Sequence, residues 1–191
     1  MLFRSAGLPD DVEVRKAVGD LVKGHVSAWD PVAQKEVWRI QHKNMWNGGL
    51  LSTAGDLLFQ GNSDSEFVAY RASNGDRLWV TDAQTGVVSG PMSYAIKGDQ
   101  HVAVTAGWGG AFALTFGEMG TRSSAARMDN NSRVLVYKIG GTAELPADVQ
   151  PARAEPQPPK LVADEATVKE GHRLYMNYCH VCHGDRAISA T

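Results

Sequence analysis

The chain has 191 residues, enough for one ordinary domain or one and a half. Hydrophobic residues at 43% and charged residues at 21% are globular values and exclude global disorder. A formal net charge of -2 and a pI near 6.3 leave no electrostatic footprint for nucleic acid, and no apolar run reaches the roughly 18 residues that span a bilayer.

The opening "MLFRSAGLPDDVEVRKAVGD" has no apolar stretch of the kind, about 7–15 residues long, that marks a signal peptide. From residue 25 onward the pattern is one of short β-like runs separated by Gly and Asp turns. Two segments repeat. "SAWDPVAQKEVW" (27–38) and "VAYRASNGDRLW" (68–79) each carry an Ala in second place and a Trp ten residues later, at an offset of 41. Further strand-like runs are "DLLFQG", "HVAVTAG" and "AFALTFG", and "RVLVYKIGG" (133–141) resembles the opening of a third copy. A period near 40 residues, filled with short strands, predicts four-stranded antiparallel propeller blades. An all-β sandwich with coincidental spacing is the competing fold. The once-per-repeat rings of Trp38 and Trp79 are expected to be buried and to pack blade against blade, because each blade must cover one face with its neighbour.

Five of the eight prolines lie between Pro146 and Pro159. "AELPADVQPARAEPQPPK" therefore reads as an extended, semi-rigid linker. After it, Asp164 is placed to cap a helix running to Tyr178, with Val168, Gly171, Leu174, Tyr175 and Tyr178 at helical spacing on one face. That helix leads into Cys179-His180-Val181-Cys182-His183, whose C-x-x-C-H spacing marks a c-type haem attachment site. Two intervening residues set the thiols of Cys179 and Cys182 to form one thioether each, and His183 follows as the axial iron ligand. A zinc half-site shares the spacing, but no second C-x-x-C completes it. A redox dithiol shares it too, without the βαβ context. No methionine follows His183 to serve as a sixth ligand, and Met176 lies one turn before Cys179. Covalent haem chemistry beside the missing export signal points to a periplasmic protein of which this chain is a part.

The run "AWDPVAQKEVWRIQHKNMWNGGLLSTAGDLLFQG", with "LWVTDAQTGVVSGPMSY" and "TAGWGGAFALTFG", resembles the alcohol dehydrogenases dependent on pyrroloquinoline quinone (PQQ). The linker and C-x-x-C-H make the resemblance specific to the quinohaemoprotein type, which carries its own cytochrome c domain. It extends over about residues 20–188. The resemblance implies a mainly β fold: the last blades of an eight-bladed propeller in residues 1–142, a linker in 143–163, and the first helix of a cytochrome c domain in 164–191. It implies PQQ, covalent haem c and calcium as cofactors, and an alcohol substrate and an electron acceptor as partners. "MWNGG" matches the segment whose tryptophan contacts the quinone, pointing to Trp46, with Asn47 beside it. "GWGGA" matches a loop whose backbone N–H groups approach a quinone carboxylate, pointing to Gly110 and Ala111. Trp46 as one more packing ring and the glycine pair as a plain turn remain open. The family's catalytic aspartate, calcium ligands and vicinal disulfide have no counterpart in this sequence, so the chain by itself is expected to be inactive. His25, His42, His101 and His172 are expected at the surface or in the core. A propeller scaffold with a tethered cytochrome and no substrate chemistry is the rival function.

Overall fold

The two tryptophan segments fold into the same hairpin. In the computed structural model, which describes residues 12–107, 123, 124, 128, 130–147, 157 and 159–179, strands β1 (His25–Asp30) and β2 (Lys35–Gln41) pair antiparallel with Ala28 opposite Trp38. Strands β5 (Glu66–Arg71) and β6 (Arg77–Asp82) pair with Ala69 opposite Trp79. Each hairpin shifts register at the residue after that alanine, between Ala28 and Trp29 and between Ala69 and Tyr70. Left-handed turn residues recur at the same offset: Gln34 (φ 51°) with Gly75 (φ 80°), and Asp56 (φ 60°) with Lys97 (φ 53°). The 41-residue repeat is thus one of pairing, bulge and backbone handedness, and not of tryptophan alone.

Strands β3 (Asn47–Ser52) and β4 (Leu57–Asn62) complete a four-stranded antiparallel meander in the order β3-β4-β5-β6. β1 and β2 form a two-stranded sheet before it. After it, β7 (Met92–Ile96), β8 (Asp99–Ala106) and β9 (Arg133–Tyr137) form a sheet in the order β7-β8-β9. The predicted runs "DLLFQG", "HVAVTAG" and "RVLVYKIGG" are β4, β8 and β9, whereas "AFALTFG" lies outside the described residues. Among the described residues only the middle sheet has all four strands.

The core lies between the sheets. Val26, Leu58, Val68 and Tyr70 join the first sheet to the second, with Trp38 and Ile40 packed against them. Phe67, Ala83, Val87, Val102, Val104, Ala106 and Leu135 join the second to the third. β5 has a sheet on each face, and its central residues Phe67 to Tyr70 are all buried. A strand covered on both sides reads as a continuous apolar run, which is why "FVAY" does not alternate. Phe67 stacks on Phe59 and Tyr137, with centroids 5.9 and 5.4 Å apart, and burial pushes the Tyr137 phenol up to about 12.

Trp38 docks on the second sheet, as expected, but is half-buried and not buried. Its indole Nε1 donates to the carbonyl of Ala72 at 3.1 Å, and its ring lies over Gly75. A Cβ on Gly75 would stand 3.0 Å from the ring, at a φ that an L residue adopts with strain. Gly75→Ala is therefore expected to destabilise the chain by roughly 1–3 kcal/mol, whereas Gln34→Gly at the repeat-equivalent turn should be neutral or mildly stabilising. Urea midpoints of the two variants check this, and a midpoint unchanged in Gly75→Ala would remove the docking argument.

Trp79 departs from the expectation of burial. It contacts Tyr137 edge-on at 5.3 Å but remains 41% exposed. The reason lies in the third sheet. Trp38 is covered by the β5–β6 turn, and no described strand follows β9 to form the equivalent turn over Trp79.

Among the described residues two helices stand in the chain, one before and one after the strands. α1 (Val12–Leu21) was not foreseen, although Val14, Val18 and Leu21 follow a helical period. α2 (Glu165–Tyr178) matches the predicted helix, and the Asp164 carboxylate caps it by accepting from Thr167 N at 2.8 Å. None of its residues is buried, and Val168, Leu174 and Tyr178 of its apolar face are exposed. No described helix is long and apolar enough to cross a membrane.

Candidate functional site

Antiparallel pairing sorts the connections to two ends of the sheets. The turns at 31–34, 53–56, 72–76 and 97–98 lie at one end and are short. The connections at 42–46, 63–65 and 83–91, the exit from β8 at Gly107 and the entry to β9 at Arg133 all lie at the other. The connection at 83–91 and the stretch between Gly107 and Arg133 are longer than any turn at the opposite end, so this end has the freedom to build a site.

A cavity of about 550 Å³ opens there. It is lined by Trp46, by Val88 and Ser89, by Thr105–Gly107 and by Ser132–Val134. Trp46 is held just before β3 by a polar turn: Asn44 Nδ2 donates to both carboxylate oxygens of Asp64, at 3.0 and 2.9 Å. Ser89 ties the lining together: its Oγ donates to the Thr105 carbonyl at 2.8 Å while its own carbonyl accepts from Gly49 N at 3.1 Å. Gly107 N donates to Gly86 O at 2.7 Å, and at a φ of 144° a Cβ there would collide with Ser132. An indole face, hydroxyl groups and a glycine-opened backbone suit a flat, polar-edged ligand.

The sequence-derived candidates divide between locations. Trp46 lines the cavity, and Gly107 brings the start of the "GWGGA" loop to the same cavity; Gly110 and Ala111 lie outside the described residues. Asn47 faces elsewhere. Its Nδ2 donates to Asn44 O at 3.1 Å, and it lines a second depression of about 510 Å³ with Gly24, Met45 and Gly48. At the far end of the chain Cys179 is exposed at the C-cap of α2, its N–H donating to Tyr175 O at 2.8 Å. Cys182 and His183 lie outside the described residues.

His42 is buried and engaged with Gln60 Oε1 at 3.0 Å, while Gln60 Nε2 donates to Gly48 O at 3.1 Å. Burial holds the His42 imidazole below its ordinary pKa, as befits a core residue. His25 and His172 are exposed and His101 is half-buried. Among the described residues no group of three or more His, Cys, Asp or Glu side chains could hold a metal ion. Sequence reasoning missed Ser89, Thr105 and Arg133 as cavity residues. Gly107 beside Trp108 was the sole local signal near them.

Comparison with known proteins finds relatives along nearly the whole chain. Residues 11–102 match the family described as PQQ: glucose/ethanol/alcohol dehydrogenase, β-propeller domain. The dehydrogenase subunit of the quinone-type alcohol dehydrogenase from Acetobacter aceti is 43% identical over 184 residues, covering 96% of this chain and 24% of that protein. The quinohaemoprotein alcohol dehydrogenase ADH IIB of Pseudomonas putida is 43% identical over 186 residues, covering 97% of this chain and 26% of that protein. Among solved structures, the quinohaemoprotein alcohol dehydrogenase ADHIIG of Pseudomonas putida superposes with a TM-score of 0.84 at 38% identity, over 96% of this chain and 26% of that one. That of Comamonas testosteroni gives 0.69 at 38% identity, over 85% and 22%. The chain spans about a quarter of the length of the curated relatives it matches.

Proposed function

We propose that this chain, homologous along 97% of its length to about a quarter of a quinohaemoprotein alcohol dehydrogenase, supplies one wall of the quinone site and the haem anchor of such an enzyme. Residues 1–142 serve as the last blades of the propeller, 143–163 as the linker and 164–191 as the start of a cytochrome c domain. The protein works in the periplasm, where c-type haem is attached. One observation carries the reading: Trp46 and the residue that opens the "GWGGA" loop meet across a single cavity, although they are far apart in sequence.

The residues present fit a quinone of this class. Trp46 offers a ring on which a flat cofactor would stack, and the resemblance of "GWGGA" assigns to Gly110 and Ala111 the N–H groups that would meet a carboxylate. When bound, the quinone would accept two electrons from the alcohol and release them singly to the haem. The chain's own contribution is to hold the cofactor flat and to shield one of its faces from water. Calcium and the proton acceptor come from blades that precede this segment. Cys179 and Cys182 would hold a haem covalently, and His183 would ligate its iron.

The test is quinone binding by the protein in which this segment is joined to its preceding blades, followed by tryptophan fluorescence. Trp46→Ala should weaken binding about tenfold, the equivalent of losing one good stacking contact. Equal affinity in the variant would return Trp46 to the role of a packing ring.

A further inference from the structure

The cavity wall and the segment leading toward α2 are tied together by one side chain. Gln84 Oε1 accepts from Arg133 Nη1 at 2.7 Å, and Gln84 Nε2 donates to the carbonyl of Pro146 at 2.9 Å. Arg133 lines the cavity and begins β9, and Pro146 is the first of the clustered prolines. Accepting from a guanidinium while donating to a carbonyl requires both halves of a primary amide. A carboxylate could do only the first.

The backbone of Gln84 is left-handed, with φ 58°, a region that disfavours a residue with a Cβ. Asp82 Oδ1 holds it there by accepting from Gln84 N at 2.8 Å. Glycine would meet that φ with less strain, so the side chain is the feature that distinguishes this residue. The path of the chain gives the contact its meaning. β9 runs from the cavity end at Arg133 to the opposite end at Tyr137, and a turn at Gly140 follows, with Gly141 N donating to Lys138 O at 3.1 Å. Leu145 packs onto the core between the second and third sheets. Pro146 then reaches Gln84, just beyond β6, so the chain has returned to the cavity end.

We infer that Gln84 is a positioning residue that fixes the departure of the segment leading to α2 at the cavity end of the sheets. The inference rests on the reading of α2 as the carrier of the electron acceptor. Its consequence is that the segment toward α2 sets out from the cavity end of the sheets. Gln84 touches neither substrate nor reacting atoms, and acts through Arg133 and Pro146.

The experiment needs neither quinone nor haem, so its failure is distinguishable from failure of the reading beneath it. In a Cys179→Ser, Cys182→Ser background, spin labels at Ala54→Cys and Ala147→Cys report the distance from the body to the departing segment by pulsed EPR. Labels at Ala54→Cys and Ala95→Cys report the body alone. A narrow Ala54–Ala147 distribution is expected with Gln84, and loss of that narrow distribution with both Gln84→Gly and Gln84→Glu. Gln84→Gly suits the backbone and removes both bonds. Gln84→Glu keeps the bond from Arg133 and removes only the one to Pro146. The body distance should stay narrow in every variant. A segment distance already broad with Gln84, or one that stays narrow in Gln84→Glu, overturns the inference. Broadening of the body distance in the variants also overturns it, because Gln84 would then be sustaining the fold and not placing the segment.

Discussion

A form of this chain that is exported to a periplasm with haem-attachment machinery is expected to carry a haem that survives acid-acetone extraction. Cys179 and Cys182 stand at C-x-x-C-H spacing, directly followed by His183, after a helix that ends at Tyr178. The Asp164 cap fixes where α2 begins, and Cys179 closes its last turn by donating to Tyr175 O. Cys179 is exposed, so its thiol is accessible to a porphyrin vinyl group. Two thioether bonds do not dissociate in acid, whereas a haem held by His183 alone would be extracted. Replacing both cysteines by alanine should abolish retained haem altogether. Colour lost completely on extraction of the unmodified protein, or colour retained by the double variant, would exclude the assignment. Because no methionine follows His183 within the 191 residues, the iron of this chain should be high-spin or bound by an external ligand. A methionine-ligated spectrum would argue against that ligand set.

The second large effect concerns turnover. The 191-residue chain is expected to show no alcohol-dependent dye reduction, even with pyrroloquinoline quinone and calcium in excess. Alcohol oxidation needs the cofactor held rigidly and a proton acceptor placed at the reacting carbon. Trp46 and Gly107 line a cavity of about 550 Å³ that is open to solvent, and no described group of acidic or imidazole side chains supplies a metal site. A cofactor held from one side keeps few of its contacts and remains open to water. Joining the chain to its preceding blades should restore turnover from undetectable to readily measured. Turnover by the chain alone would mean that the chemistry lies in residues assigned here to structure.

Much of the fold was legible because it is written in short stretches. The Ala-to-Trp interval fixes a hairpin within a dozen residues, and Asp164 announces its helix by a bond to a neighbour three positions away. α1 was overlooked because a weak apolar stripe without a strong cap resembles ordinary polar sequence. For the candidate site, the motif "MWNGG" identified Trp46 and Asn47 together, yet the two residues line different cavities. Adjacent residues at a strand entrance project to opposite sides, and only the placed backbone says which faces what. Ser89, Thr105 and Arg133 carried no signal because they line one cavity only when three separate elements come together.

By itself the sequence determined the 41-residue repeat and the helix before the cysteines, and it carries the C-x-x-C-H spacing from which a haem anchor is expected. The first two depend on backbone preferences and hydrogen bonds among near neighbours. Tertiary structure alone decided that Trp38 is covered while Trp79 is 41% exposed, since burial depends on whether the next sheet supplies a turn over the ring. It also decided that Trp46 meets Gly107, and that Gln84 joins Arg133 to Pro146. Those contacts link residues tens of positions apart, and they follow from how one sheet packs on the next, a relation that no local pattern encodes.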